Sequence, residues 1–195
     1  MGNAHKTAGR YDEAATAYAE VLDLARTTGD ARRETIALKD LGALAHDRGA
    51  YAEAIGFHAA AMHRKRELGD RRGVAVAQLN LGAVENDSGT AAADRLTEAA
   101  ATFAELGEPG SEAFALALLA QSQAGRSRWD DAVTTGRRAL DQARRVGHAQ
   151  AIGLALLALG ETAAITGDPP ARTGCCGRRS RFRAASPTRP ASAPG

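Results

Sequence analysis

The amino-acid sequence predicts an all-α protein, a right-handed solenoid of antiparallel helix hairpins. The main observation is a repeat of 40 residues. When the sequence is shifted by this length, Leu41-Gly42 aligns with Leu81-Gly82. A fixed period of this size is typical of stacked helical units that share one continuous core. Composition agrees, because hydrophobic residues make up 44% of the chain but aromatic residues only 4%. That balance suits close helix packing better than a β-sandwich.

Each repeat is predicted to contain helix A, a short turn, helix B and another short turn. In residues 31–48 apolar side chains recur at three- and four-residue steps, which indicates an amphipathic helix A. Asp30 is placed to cap its start and Gly49 to end it in the left-handed conformation. Helix B follows from about residue 51 to 68, and the short connections make the paired helices antiparallel.

The later helices follow the same order with small departures. Ser111 is expected to cap the fourth helix A, Gln78 replaces the first leucine of the third unit, and Gly136 replaces a larger residue in the fourth helix B. The helix interfaces at Gln78 and Gly136 are expected to be the loosest. At Gly136 the reason is that a glycine inside a helix costs about 1 kcal/mol relative to alanine. The remaining helices are expected at about residues 71–88, 91–106, 111–126, 129–147 and 149–166.

The composition changes at Gly167 and divides the chain into an array and a tail. Residues 168–195 hold six arginines against one acid, both cysteines and five of the six prolines, whereas the preceding part has a net charge of −3. The tail is predicted to be disordered, since no apolar periodicity follows its first prolines. Two origins stay open, a natural basic tail and a shifted reading frame in GC-rich coding DNA.

The array is expected to occupy residues 1–167 and to begin and end within a unit, which indicates a fragment of a longer repeat protein. Its units are expected at about 1–29, 30–69, 70–108, 109–147 and, in part, 148–167.

The sequence carries no pattern of an enzyme, metal or cofactor site. His58 and His63 do not share one helix face, and the adjacent Cys175 and Cys176 lack the paired CxxC spacing of a zinc site. No catalytic constellation is present, so neither catalysis nor a cofactor is predicted. There is no signal-peptide segment and no run of about 18 apolar residues, which predicts a cytoplasmic protein without a membrane partner.

The residue pattern of the second unit resembles the tetratricopeptide repeat. It has Leu38, Leu41-Gly42, Gly49, Tyr51, Ala54 and Ala61 at the family's landmark positions. HEAT and armadillo repeats have similar periods, but the small residues favour the tetratricopeptide pattern. The resemblance implies that helices A and B cross most closely at Gly42 and Ala54. The same slots hold Gly2/Ala14, Gly82/Ala92 and Ala120/Ala132 in the other units.

The repeat is longer than the family's usual length of about 34 residues. In this it is similar to repeats of the kinesin light chain and of G-protein-signalling-modulator proteins. In high-GC bacteria it is similar to the C-terminal arms of ATPase-type and antibiotic-pathway transcriptional regulators. The resemblance covers about residues 1–167 and bears on fold more than on function, because these repeats serve many unrelated proteins.

The resemblance implies a concave groove, lined by helices A, that binds a peptide or a partner protein. An ordinary solvated helix face is the alternative for any single residue. The family's carboxylate clamp, in which several Lys, Arg and Asn side chains converge, is matched only in part. No clamp is predicted, because Asp40, Asp47 and Asp87 would repel an acidic peptide end. The candidate partner-binding residues are Asn3, Lys6, Lys39, Asp40, His46, Asp47, Asn80, Asn86, Asp87 and Gln121.

The predicted function is non-catalytic protein–protein interaction, as a fragment of a larger regulatory protein. The alternative is a ligand-sensing or autoinhibitory arm of an ATPase-type or DNA-binding transcriptional regulator. Nucleic acid is expected to bind only weakly, through the basic residues 178–183 of the tail.

Overall fold

The computed structural model describes residues 11–90 and 92–167, and these residues form helices and turns without a strand. In chain order the helices are α1 (Tyr11–Thr28), α2 (Ala31–Asp47), α3 (Tyr51–Glu67), α4 (Arg71–Asp87), α5 (Ala93–Glu105), α6 (Pro109–Gly125), α7 (Trp129–Val146) and α8 (Ala149–Thr166). Helices A of the repeat are α2, α4, α6 and α8, and helices B are α1, α3, α5 and α7. The predicted tail, Asn3 and Lys6 lie outside the described residues.

The turns between repeats are built as the sequence predicts. The Asp30 carboxylate accepts a hydrogen bond from the Arg33 amide at 3.0 Å, which caps α2. Asp70 caps α4 in the same way, accepting from the Gly73 amide at 2.7 Å. Gly49 follows α2 with a φ of +73°, a left-handed conformation that glycine adopts without steric cost. The predicted start at Asp30 and end at Gly49 are therefore confirmed for helix A of the second repeat.

The start of the fourth repeat is predicted incorrectly. Ser111 lies inside the first turn of α6, and Glu108 occupies the capping position, where its carboxylate accepts no hydrogen bond from a backbone N–H of the helix. Pro109 opens the helix instead, since its fixed φ suits the first helical residue and its missing N–H costs nothing there. The Ser111 hydroxyl donates to the Glu108 carboxylate at 3.0 Å.

The helices form two layers. Helices A lie side by side, because α2 contacts α4, α4 contacts α6 and α6 contacts α8. Within the described part of the chain, successive helices B are separated by a helix A and do not pack together to a similar extent. Helices A therefore form a continuous layer along one side of the array, the layer that the tetratricopeptide resemblance assigns to the concave surface.

The core runs along the array as successive apolar clusters. One cluster joins α1, α2 and α3 through Tyr18, Leu38 and Ala61. A larger one joins α4 to α8 and includes the fully buried Leu96 and Phe103. Each helix therefore buries apolar side chains on its neighbours, as expected for a solenoid.

The close crossing of helices A and B differs in detail from the prediction. A Cβ atom built on Gly42 would lie 2.6 Å from Cε1 of His58, and one on Gly82 would lie 2.5 Å from Cδ2 of Leu96. His58 and Leu96 each come four residues after the expected partner, Ala54 or Ala92. The glycine thus makes room for a large side chain of helix B rather than for a second small one.

Gly136 does not loosen the fourth repeat, so that prediction is wrong. The residue is buried, and an added Cβ would lie 3.1 Å from Cδ2 of Leu159 and 3.6 Å from Cβ of Ala120. Here helix A carries alanine and helix B carries glycine at the crossing. Leu159 of α8 fills the remaining space. Gln78, the other expected weak point, is also buried.

The last helix is unusually apolar. By length and composition α8 could cross a membrane, so the sequence-based exclusion of such a segment is too broad. One such helix is weak evidence, because core helices of soluble proteins share these properties. In the structure one face of α8, including Ala155, Ala158 and Leu159, packs on α6 and α7.

Candidate partner-binding groove

The concave surface is assembled from helices A of successive repeats. The described candidate residues come from α2 (Lys39, Asp40, His46, Asp47), α4 (Asn80, Asn86, Asp87) and α6 (Gln121). The structure brings His46 and Asp87 into contact across repeats, while Gln121 stays a half-buried side chain on α6.

His46 and Asp87 join two neighbouring repeats. Nε2 of His46 lies 2.7 Å from Oδ2 of Asp87, which links α2 to α4. The His46 ring also lies 6.0 Å from the ring of Tyr51 at the start of α3. Asp87 is largely exposed, so the pair is open to water on one side. A partner that binds at this position would have to replace the contact between His46 and Asp87 or bind beside it.

Asn86 connects the third repeat to the fourth. Its amide Nδ2 donates to the backbone carbonyl of Leu118 on α6 at 2.9 Å. Its Oδ1 is buried and has no hydrogen-bond partner. Asn86 therefore cannot offer a donor and an acceptor together to a peptide backbone. The structure assigns it to the support of the groove rather than to its surface.

Lys39 and Asn80 lie around one small cavity between α2, α3 and α4. The cavity has a volume of about 60 Å³ and is also lined by Thr35, His58, Lys65 and Val76. This is space for roughly two water molecules. The lysines are already paired, Nζ of Lys39 with Asp40 at 2.7 Å and Nζ of Lys65 with Asp70 at 3.1 Å.

His58, which the sequence pattern argues against as a metal ligand, lies buried on α3. It is 2% exposed, and its Nδ1 has no hydrogen-bond partner. Burial, followed by the charges of His46 and Lys39, lowers the pKa of His58 to about 4. The ring is therefore neutral at physiological pH. The signal that could have found it is Gly42, whose missing side chain leaves room for this ring.

The described residues contain no group of three or more His, Cys, Asp or Glu side chains arranged to hold a metal ion. What they present is a polar surface of mixed charge on the concave side, with its histidine and one amide already engaged between repeats.

The comparison with known proteins bears on the repeat unit. Residues 1–32 match the family model of the tetratricopeptide repeat. The described hairpins have a tetratricopeptide-like, all-α repeat fold. The chain is similar to the crystal structure of BtubC (BKLC) from P. vanneervenii, with a TM-score of 0.75 and coverage of 86% of this chain and 70% of that chain. At 21% identity, this likeness bears on the fold alone. No curated protein matches the sequence significantly.

Tetratricopeptide repeats generally mediate protein–protein interaction, and arrays of this type are generally not enzymes. The concave surface described above is where such an array offers side chains from several repeats at once. Its chemistry here is polar, since Lys39, Asn80 and the His46–Asp87 pair lie on neighbouring helices A.

Proposed function

We propose that the concave surface of α2, α4 and α6 binds a protein or peptide partner without catalysing a reaction. Two observations carry the proposal, and both join α2 to α4 of the next repeat. Lys39 and Asn80 line one cavity, and His46 contacts Asp87. A curved surface built in this way contacts an extended or helical segment at several points along its length.

The charges of the groove narrow the kind of partner. Lys39 and Asp87 are both exposed and carry opposite charges, so a partner segment of mixed charge fits better than a uniformly acidic one. Asp40 and Asp47 add to the repulsion of an acidic segment. The Asn80 amide can both donate to and accept from a peptide backbone, which would hold an extended segment in place.

We also propose that the array acts in the cytoplasm as part of a larger regulatory protein. The support is the 40-residue period, which resembles the arms of bacterial transcriptional regulators. The same resemblance favours a second candidate, a ligand-sensing or autoinhibitory arm of an ATPase-type or DNA-binding regulator. The autoinhibitory arm would be favoured if the same reading frame encoded an ATPase module. The rate of ATP hydrolysis by that module would have to fall when the array is attached. A partner captured by the array alone would favour the scaffold.

The groove is tested by affinity capture with the full chain and two matched double variants. Lys39→Ala with Asn80→Ala removes two groove side chains, whereas Glu98→Ala with Asp141→Ala changes exposed residues of helices B. We expect a protein captured by the wild type to be lost from the groove variant and retained by the control. Equal capture by all three chains would overturn the proposal.

A further inference from the structure

The small cavity between α2, α3 and α4 is surrounded by hydrogen-bond donors from two repeats. Its volume is about 60 Å³. Lys39 reaches it from α2, His58 and Lys65 from α3, and Asn80 from α4. Two ammonium groups, an imidazole and a carboxamide therefore share one space. No carboxylate lies among the described residues that line this space.

His58 is the most buried polar side chain in the cavity wall. It is 2% exposed, and its Nδ1 has no hydrogen-bond partner among the described residues. The ring occupies the room that Gly42 leaves on α2. Because buried polar atoms in folded proteins are nearly always partnered, an unpartnered ring beside an enclosed space indicates a ligand there.

The side chains whose charges act on the His58 ring are positive when protonated. Burial, followed by the charges of His46 and Lys39, lowers the pKa of His58 to about 4. The ring is therefore neutral at physiological pH and has one nitrogen that can donate a hydrogen bond. The same positive groups would attract a negative charge in the cavity.

The two lysines have donors to spare for a ligand. Nζ of Lys39 lies 2.7 Å from Asp40, and Nζ of Lys65 lies 3.1 Å from Asp70. Neither aspartate lines the cavity, and an ammonium group has three donors. Each lysine can therefore donate to a ligand in the cavity while it keeps its aspartate.

We propose that the cavity binds a small monovalent anion of the size of chloride. The space holds roughly two water molecules, so it takes a small ion rather than a nucleotide or another large phosphate ester. One negative charge suits the site, because each lysine already has one aspartate partner. Donors from α2, α3 and α4 surround the ion and join the second repeat to the third. The ion needs no partner protein, so this inference and the proposed groove can fail separately.

NMR spectroscopy of the His58 ring in the full chain at neutral pH tests the proposal. Sodium chloride is compared with sodium gluconate at equal ionic strength, because gluconate screens charges equally but is too large for the cavity. Chloride should move the ring resonances along a saturable curve, and gluconate should not. Chloride should also raise the pKa of His58 relative to gluconate, because a neighbouring negative charge favours the protonated ring.

Two variants with the same loss of charge locate the ion. Lys39→Gln removes one cavity ammonium and leaves the His58 ring as the reporter, so the chloride affinity should fall roughly tenfold. Arg66→Gln removes an exposed charge next to Lys65 that does not line the cavity. It should bind chloride as the wild type does. Both variants should keep the helical circular dichroism of the wild type, since neither substituted side chain is buried.

Three results would overturn the anion site. The first is an identical response of the wild-type ring to chloride and to gluconate. The second is an equal loss of chloride affinity in Lys39→Gln and Arg66→Gln, which would show general attraction to positive charge. The third is a chloride effect that Lys39→Gln leaves unchanged, since the ion would then lie outside the cavity.

Discussion

In the second and fourth repeats helices A and B cross at the same register. The small and large side chains at the crossing lie on different helices in the two repeats. In the second, helix A carries Gly42 and helix B carries the bulky His58. In the fourth, helix A carries Ala120, helix B carries Gly136, and Leu159 of the next helix A fills what remains. The close approach therefore depends on the combined size of the side chains at a crossing, and either helix can supply the small one.

The difference has an electrostatic consequence, because the second repeat places a titratable ring at its crossing and the fourth does not. His58 has a folded pKa of about 4 against an ordinary value of 6.5. Below pH 6.5 the unfolded chain binds a proton that the folded chain excludes, so the free energy of unfolding should fall as the pH drops from about 6.5 to about 4. The full loss is about 3 kcal/mol.

Urea titrations of the wild type and of His58→Leu at several pH values measure this effect. The leucine copies the third repeat, where Leu96 lies over Gly82, and removes the unpartnered Nδ1. The difference in unfolding free energy between the two chains isolates His58 from the other titrating groups. A difference that stays constant from pH 7 to about pH 4 would show that the ring is not held neutral by burial.

The next largest effect should come from adding one methyl group at the crossing of the second repeat. Gly42→Ala drives Cβ into the buried His58 ring, and we expect a loss of about 2 kcal/mol in thermal or urea unfolding. Gly160→Ala is the matched control in α8, where no atom opposes the methyl group. It should stabilise by about 1 kcal/mol through helix propensity. Equal effects at the two sites would contradict the role given to His58.

These crossings show which parts of the molecule the sequence could predict. Asp30 and Gly49 act within one turn of their own helix ends, so local spacing predicts them well. The partner of Gly42 depends on how two helices pack, and the pairing of His46 with Asp87 joins residues 41 apart in the chain. Gly136 looks like a defect in its own helix because its compensation comes from Ala120 and Leu159 on other helices.

The turns of the same two repeats differ as well. Gly49 ends α2 with a φ of +73°, and Ser127 takes a φ of +59° in the corresponding turn after α6. A residue with a Cβ is strained in this conformation, so Ser127→Gly should raise the unfolding free energy by about 0.5–1 kcal/mol. The reciprocal change, Gly49→Ser, should lower it by a similar amount in the same thermal melts. A loss of stability in Ser127→Gly would mean that the serine side chain makes a contact worth more than the strain.

The smallest effect is expected at Gly136, where two opposing contributions nearly cancel. An alanine gains about 1 kcal/mol of helix propensity, but its Cβ would lie 3.1 Å from Cδ2 of Leu159. Because a leucine end can shift more easily than a buried ring, Gly136→Ala should change stability by less than about 1 kcal/mol. In a Leu159→Val background the contact is relieved, and the same substitution should become stabilising, which a double-mutant cycle measures. If Gly136→Ala instead lowers the unfolding free energy as much as Gly42→Ala does, the fourth crossing is as rigid as the second. The different placement of small and large side chains would then not affect how well the two repeats tolerate an added methyl group.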